Sequence, residues 1–365
     1  MDSSDPVSPA GRGVRISRSA SLACLCAAFG CVLWGLRQLD GPVARYLRTI
    51  TTPEGGGTLT VPWMAFVSHA GNWIGDGRQL LIVSAILLAA GWMMPASRGI
   101  ATGIQSLWAH GLATVLVHTV KHLVGRPRPK FSASGEWSIA PSLASGFDSF
   151  PSGHTTATFA LAVVLSRRVP VLAALFLGVA AFVALSRVLR GSHFPSDVFG
   201  GWVLGTVSGM VAANPWKDWI RSVESALYQA AIGTVWIFAL VWALAVPVES
   251  GPESRFLIGC GALLVVAGCV IRVRARGTSR MAPTARSSSG AILAMALGLS
   301  LISTAPIVMA AAGSLGLALR LRGDQIPGVE AESRWVAVFR ECEMAAAVLL
   351  SLIILVAFRG VLPLA

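Results

Sequence analysis

About ten apolar stretches, most of them close to 20 residues long, follow one another through this sequence. They lie near 20–38, 77–94, 99–121, 153–167, 170–189, 197–213, 224–247, 255–271, 290–316 and 337–358. A hydrocarbon core needs about 20 apolar residues per helical crossing, because each backbone N–H and C=O must find its partner within the segment. The pattern therefore predicts an all-α polytopic membrane protein. Hydrophobic residues make up 54% of the 365 and charged residues only 13%, a balance too apolar for a soluble globule.

Cys24, Cys26, Cys31, Cys260, Cys269 and Cys342 fall in or beside these stretches without a CxxC pair, and read as small apolar packing residues. "AFGC" at 28–31 is a poor cleavage signal because the apolar run continues through Leu36, so the first stretch is expected to be a retained anchor. The net charge of +12 has no soluble basic domain behind it, which argues against a nucleic-acid partner. It serves to read topology. With the N-terminus cytoplasmic and one crossing per stretch, 14 of the 29 Lys and Arg fall inside, including those of "RVRARGTSRMAPTARSSSG". Six of the other 15 (Lys121, Arg126, Arg128, Lys130, Arg187 and Arg190) lie in polar clusters, and setting them aside leaves 14 inside against 9 outside. The positive-inside rule then places both termini in the cytoplasm.

Parity of crossing brings the polar clusters to one membrane face. Lys121 ends the third stretch, "FPSGH" opens the fourth, Ser186 and Arg187 end the fifth, and His193 and Asp197 open the sixth. Lys121, Arg126, Arg128, Arg187 and Arg190 concentrate positive charge at the rim of a hydrocarbon region, where an anion is the expected partner. Two helix N-termini, behind "PSGH" and "SHFPSD", offer free N–H groups to the same anion. Gly153 lets the backbone approach a ligand closely. Asp197 follows His193 by four residues, so its carboxylate is expected to accept from one ring nitrogen and leave the other as a nucleophile. His154, on another helix, can carry a proton. Together these residues suit phosphoryl transfer. No carboxylate cluster suggests a metal, and no cofactor is called for.

The motifs "KHLVGRPRP" (121–129), "PSGH" (151–154) and "SRVLRGSHFPSD" (186–197) occur in the order of the type 2 phosphatidic acid phosphatase (PAP2) superfamily of membrane lipid phosphatases, which the chain resembles over about 20–213. The resemblance implies a six-helix transmembrane core at 20–213; the remaining apolar stretches predict about four further helices in 214–365, and the charge count a cytoplasmic tail at 1–19. The resemblance also implies His193 as the nucleophile of a phosphohistidine intermediate, Asp197 as its orienting carboxylate and His154 as the acid. Lys121, Arg128, Ser152, the Gly153 N–H and Arg187 would hold the phosphoryl group. Arg126 and Arg190 lie outside the strict pattern and are additional candidates.

Other features read as structural. His118 and His122 are four apart but lack a third metal ligand. His110 is expected to be a satisfied buried polar residue, and Trp63, Trp73 and Trp137 interfacial anchors. His69 belongs to a loop or to a short amphipathic helix lying on the membrane. Residues 214–365 read as an accessory bundle for packing, homodimerisation or lipid access. The expected activity is hydrolysis of a lipid phosphate or pyrophosphate, undecaprenyl pyrophosphate first, at the outer face of a bacterial-type inner membrane. Phosphatidate, phosphatidylglycerol phosphate and a lipid A phosphate are the other substrates. The competing readings are a lipid phosphotransferase and a transporter with an anion site.

Overall fold

A computed structural model describes residues 18–50, 61–93, 99–132, 140–227 and 252–278, together with residue 230 and a few positions between 291 and 301. Among these residues all regular structure is helical, without a strand. The helices are α1 (Arg18–Thr49), α2 (Pro62–Ile74), α3 (Gly77–Met93), α4 (Gly99–Val124), α5 (Gly153–Arg168), α6 (Ala173–Leu189) and α7 (Pro195–Ala213), followed by Pro252–Thr278. Each of the first six apolar stretches is helical, and so is 255–271. Residues 219–227 begin a helix at the seventh stretch; the rest of that stretch and those at 290–316 and 337–358 lie wholly or largely outside the described residues. Among the described residues two helical segments, Gly99–Val124 and Pro170–Leu189, are long and apolar enough to cross a membrane, and α2 with α3 would make a third span bent by 52°.

Packing centres on α5, which lies against α4, α6 and α7. Its sequence is small and mostly apolar, and Phe159 through Val164 form an unbroken buried run. The closest approach is to α7, along Gly201, Gly205 and Gly209 at a spacing of four. A Cβ on these glycines would lie 2.7 Å from the Ser152 carbonyl oxygen, 2.5 Å from that of Thr156 and 2.6 Å from that of Ala160. One face of α7 is thus bare backbone, and α5 rests directly on it. Helices without a hydrophobic driving force between them associate through such close contact. At the end of the bundle away from His154, Arg168 donates twice to Gln105 Oε1 at 2.8 and 2.6 Å, and Gln105 in turn donates to the Ala213 carbonyl at 3.2 Å. These bonds tie α4, α5 and α7 together there.

One element runs longer than the sequence expectation, and at His69 the helix of the two readings is found rather than the loop. α1 runs past the predicted end at 38 through Asp40 and Pro42 to Thr49. Asp40 does not break the helix because its carboxylate is fully buried and paired. His69 lies on a true helix, α2, which buries Ser68 and Gly71 and packs on α6; a Cβ on Gly71 would stand 2.4 Å from the Ser186 Cβ. The other face of α2 exposes Trp63, Phe66 and Trp73.

His110 is half-buried, and its Nδ1 lacks a hydrogen-bond partner among the described residues, contrary to the expectation of a satisfied polar group. Cys260 and Cys269 are free thiols.

Candidate active site

Four helix ends and three loop segments meet at one end of the bundle. α4 ends at Val124 behind Lys121, and the chain turns at Gly125, whose φ is +62°. A side chain there would collide with the Ala140 carbonyl, since a Cβ would lie 1.7 Å from its oxygen. Glycine is therefore required for this turn. Arg48, near the end of α1, donates to the Pro129 carbonyl at 2.6 Å and fixes the loop that follows. The second loop, 140–152, returns the chain to the start of α5. The third, after α6, turns through Gly191 at φ +62° and places His193 just ahead of α7.

His193 is almost wholly buried. Its Nδ1 lies 2.8 Å from the Ser149 carbonyl oxygen and 3.8 Å from Asp197 Oδ2. The first is a hydrogen bond and the second is beyond hydrogen-bond reach. The direct ring-to-carboxylate bond expected from the spacing is therefore replaced by one to the backbone. A carbonyl can only accept, so Nδ1 carries the proton and Nε2 keeps its lone pair. Burial pushes the His193 imidazole down to about 4; Asp197 opposes this, while Lys121 and Arg187 add to it. The ring is accordingly neutral at pH 7.

Asp197 is occupied otherwise. It accepts from Arg126 Nη1 at 2.6 Å, from Ser149 Oγ at 2.5 Å and from the Phe194 N–H at 2.8 Å, the last reaching back from the first turn of α7 to the residue just before it. Its carboxylate holds both segments that touch His193.

The basic residues divide into two groups. Arg126 is fully buried, stacks over the Phe194 ring with its Cζ 4.2 Å from the centroid, and joins Asp197 to Asp40. Its charge is met by those two carboxylates, which corrects its candidacy as a phosphate contact. The second group faces Asp148. Arg128 donates to that carboxylate through Nε and Nη2 at 2.8 and 2.6 Å, and Lys121 Nζ lies 3.6 Å from Oδ2 while donating to the Asp148 carbonyl. Asp148 lies outside the helices; burial would raise its carboxyl, but Arg128 and Lys121 overcome this and hold it at about 2.

Arg187 is buried, donates from Nη1 to Asn72 on α2, and its Nε has no partner among the described residues. Arg190 is exposed.

Ser152 is buried ahead of α5 and accepts from Thr155 Oγ1 at 3.0 Å, while its N–H donates to the Asp197 carbonyl at 3.0 Å. A Cβ on Gly153 would meet only Lys121 Cε, at 3.8 Å. Protein packing alone therefore does not demand glycine there. His154 packs beside Gly75, where a Cβ would lie 3.2 Å from its Cδ2, and has Arg187, His193, Asp76 and Lys121 as charged neighbours. All eight motif residues thus gather at one end. Sequence reasoning missed Asp40, Asn72, Asp148 and Ser149, which hold Arg126, Arg187, Arg128 and His193 respectively. Asp148 and Ser149 directly precede "FPSGH", and that adjacency was the available signal. His118 is exposed, and His122 Nδ1 lies 3.1 Å from the Ser142 carbonyl oxygen, so the two serve no common centre.

Residues 102–221 match the model of the PAP2 superfamily. A lipid A 1-phosphatase of Rhizobium etli is 30% identical over 198 residues, covering 49% of this chain and 80% of that protein. The chain belongs to the PAP2 superfamily. It is a phosphatase. A decaprenylphosphoryl-5-phosphoribose phosphatase of Mycobacterium tuberculosis is 36% identical over 109 residues, 30% of this chain and 56% of that protein. A putative phosphatidate phosphatase of Drosophila melanogaster is 34% identical over 119 residues, 29% and 31% of the two chains. No solved structure matches the chain.

Proposed function

We propose that this PAP2 member hydrolyses a phosphate or pyrophosphate carried by a membrane lipid, through a phosphohistidine on His193. The observation that carries the reading is the pinned ring: Nδ1–H bonded to the Ser149 carbonyl leaves a lone pair on Nε2 of a neutral ring that has Lys121 and Arg187 as charged neighbours. In the first step Nε2 forms a bond to phosphorus as the bond to the lipid oxygen breaks, and His154 gives that oxygen its proton. In the second, His154 takes a proton from water, which attacks phosphorus and releases phosphate and His193. Lys121, Arg128, Arg187, Ser152 and the N–H of Gly153 stabilise the equatorial oxygens, an electrostatic role of the kind that dominates such reactions. Asp197 balances the positive charge that His193 acquires. The positive charges come from side chains and helix ends, so no metal enters any step.

The active site is proposed to face the periplasm or cell exterior, with both termini cytoplasmic. The chain would make six crossings in a core at 20–213 and about four more in 214–365. An outward site suits undecaprenyl pyrophosphate, whose hydrolysis would release phosphate on that side. A lipid A 1-phosphate is the second substrate reading, favoured by the Rhizobium relative, which aligns over 198 residues of this chain. The test is phosphate release in detergent from undecaprenyl pyrophosphate, lipid A, phosphatidate and phosphatidylglycerol phosphate, with excess EDTA and with added acceptor lipids. Release of inorganic phosphate that persists in EDTA is expected. Transfer to an acceptor lipid without phosphate release would make the protein a phosphotransferase, and restoration by Mg²⁺ after EDTA would overturn the metal-free mechanism.

A further inference from the structure

Asp40 sits on α1, outside the residues that the family's model matches, and is fully buried against the start of α7. It accepts from Arg126 Nη2 at 2.8 Å, from the Ser196 N–H at 3.0 Å and from Ser196 Oγ. Arg126 Nη1 binds Ser196 Oγ at 2.7 Å and Asp197 Oδ1 at 2.6 Å. The result is a buried chain Asp40–Arg126–Asp197 running from α1 to the residue beside His193. α1 is held in place for this by Val32 and Leu36, which pack with Phe199 of α7, and by the bond from Arg48 to Pro129.

We infer that Asp40 is a positioning residue for the reaction, neutralising Arg126 so that the charge of Asp197 remains available to His193. The inference rests on the proposed role of His193. Two carboxylates and one guanidinium carry a net charge of −1, and a cationic His193 brings the cluster to neutrality. Without Asp40, Arg126 and Asp197 would already cancel. The cation formed on the almost wholly buried His193 would then lose the counter-charge that Asp197 offers, a costly arrangement. Asp40 also accepts the Ser196 N–H in the first turn of α7, where a carboxylate suits the helix dipole. It thereby anchors the same turn that positions Asp197.

The test compares native enzyme, Asp40→Asn, Arg126→Met and the double variant, all purified as folded full-length protein in detergent, with kcat and KM measured on nitrophenyl phosphate. Asp40→Asn is expected to lower kcat by about 10- to 100-fold, the scale of losing one charge interaction at an intermediate dielectric, with KM within about threefold of native. The double variant removes both charges and leaves Asp197 free to serve His193, so its kcat is expected to rise above that of Asp40→Asn. A merely structural Asp40 would instead give losses that add in the double variant, and that result overturns the inference, as does a kcat for Asp40→Asn within threefold of native. If Asp40→Asn yields no folded protein, the double variant decides: a kcat within about 30-fold of native supports the inference, and a larger loss sinks it. His193→Ala in the same assay separates the two layers. Its activity would refute the proposed nucleophile, whereas an inactive His193→Ala beside a native-like Asp40→Asn refutes only the role of Asp40.

Discussion

Asp148 occupies the two cations that the proposed mechanism gives to phosphate, and replacing it with asparagine is the most informative single perturbation. Its carboxylate binds Arg128 at 2.8 and 2.6 Å and approaches Lys121 at 3.6 Å, with 28% of its side chain exposed. A phosphoryl group that uses the same donors must displace or repel this carboxylate. A charge-assisted bond contributes about 1.5–3 kcal/mol when buried, and partial exposure reduces that. The net gain on removing the charge should be about 1–2 kcal/mol, equivalent to roughly 5- to 30-fold tighter binding of an anion. The assay is competitive inhibition by inorganic phosphate and by vanadate, native against Asp148→Asn, between pH 5 and 8. Because Arg128 and Lys121 hold the carboxyl at about 2, it stays ionised across that window, and the gain should not vary with pH on its account. Protonation would remove the charge only as pH falls toward 2. Weaker or unchanged inhibition in Asp148→Asn would refute the argument and show that Lys121 and Arg128 need the carboxylate to hold them in place.

His193→Ala should abolish both turnover and any acid-labile phosphoenzyme, whereas His154→Ala should be partly rescued by nitrophenyl phosphate over a lipid monophosphate, since general acid catalysis, worth about 10²–10⁴-fold, matters least for a good leaving group; equal responses of the two variants would overturn their roles. In Asp40→Asn, where no titration of Asp40 contributes, the acid limb of kcat/KM, after correction for the substrate's own ionisation, should lie near pH 4 rather than 6.5, because the nucleophile is lost only when His193 protonates below its depressed value of about 4; a limb near 6.5 in that variant would show that the ring is not buried as described. Gly205→Ala places a Cβ 2.5 Å from the Thr156 carbonyl oxygen and should destabilise the α5–α7 contact by about 1–3 kcal/mol, read as a lower thermal unfolding temperature in detergent; an unchanged temperature would mean that the helices pack less closely.

The three family motifs were legible because each needs a particular residue at a particular spacing, and the helices because apolar runs of membrane length have few other uses. What the sequence hid is contact between distant segments. Asp40 and Ser196 are bonded across 156 positions, and Arg187 and Asn72 across 115; no local periodicity marks such pairs. The glycines at 201, 205 and 209 were visible as a spacing of four, but only the position of α5 shows that they set a helix contact. Arg126 was misread for the same reason. Its place in "GRPRP" suggests kinship with Arg128, yet the turn at Gly125 sends one guanidinium into the protein and the other toward Asp148.

The environment of His193 divides between two groups tasks that the sequence spacing suggested for one. Fixing a tautomer needs an acceptor that never donates, and the Ser149 carbonyl meets that need at every pH. Under the proposed mechanism, balancing a transient cation needs a negative charge close by but not consumed by the ring, and Asp197 at 3.8 Å would provide it. Ser149 links the two, since its carbonyl holds the histidine while its hydroxyl donates to Asp197 at 2.5 Å. A shift of the 140–152 loop would therefore move the ring and its counter-charge together. The loop is in turn held by Arg126, whose carbonyl accepts the Ser149 N–H at 2.9 Å, and Arg126 is held by Asp40. The geometry at Nε2 thus rests on a side chain of α1, which bears none of the three motifs.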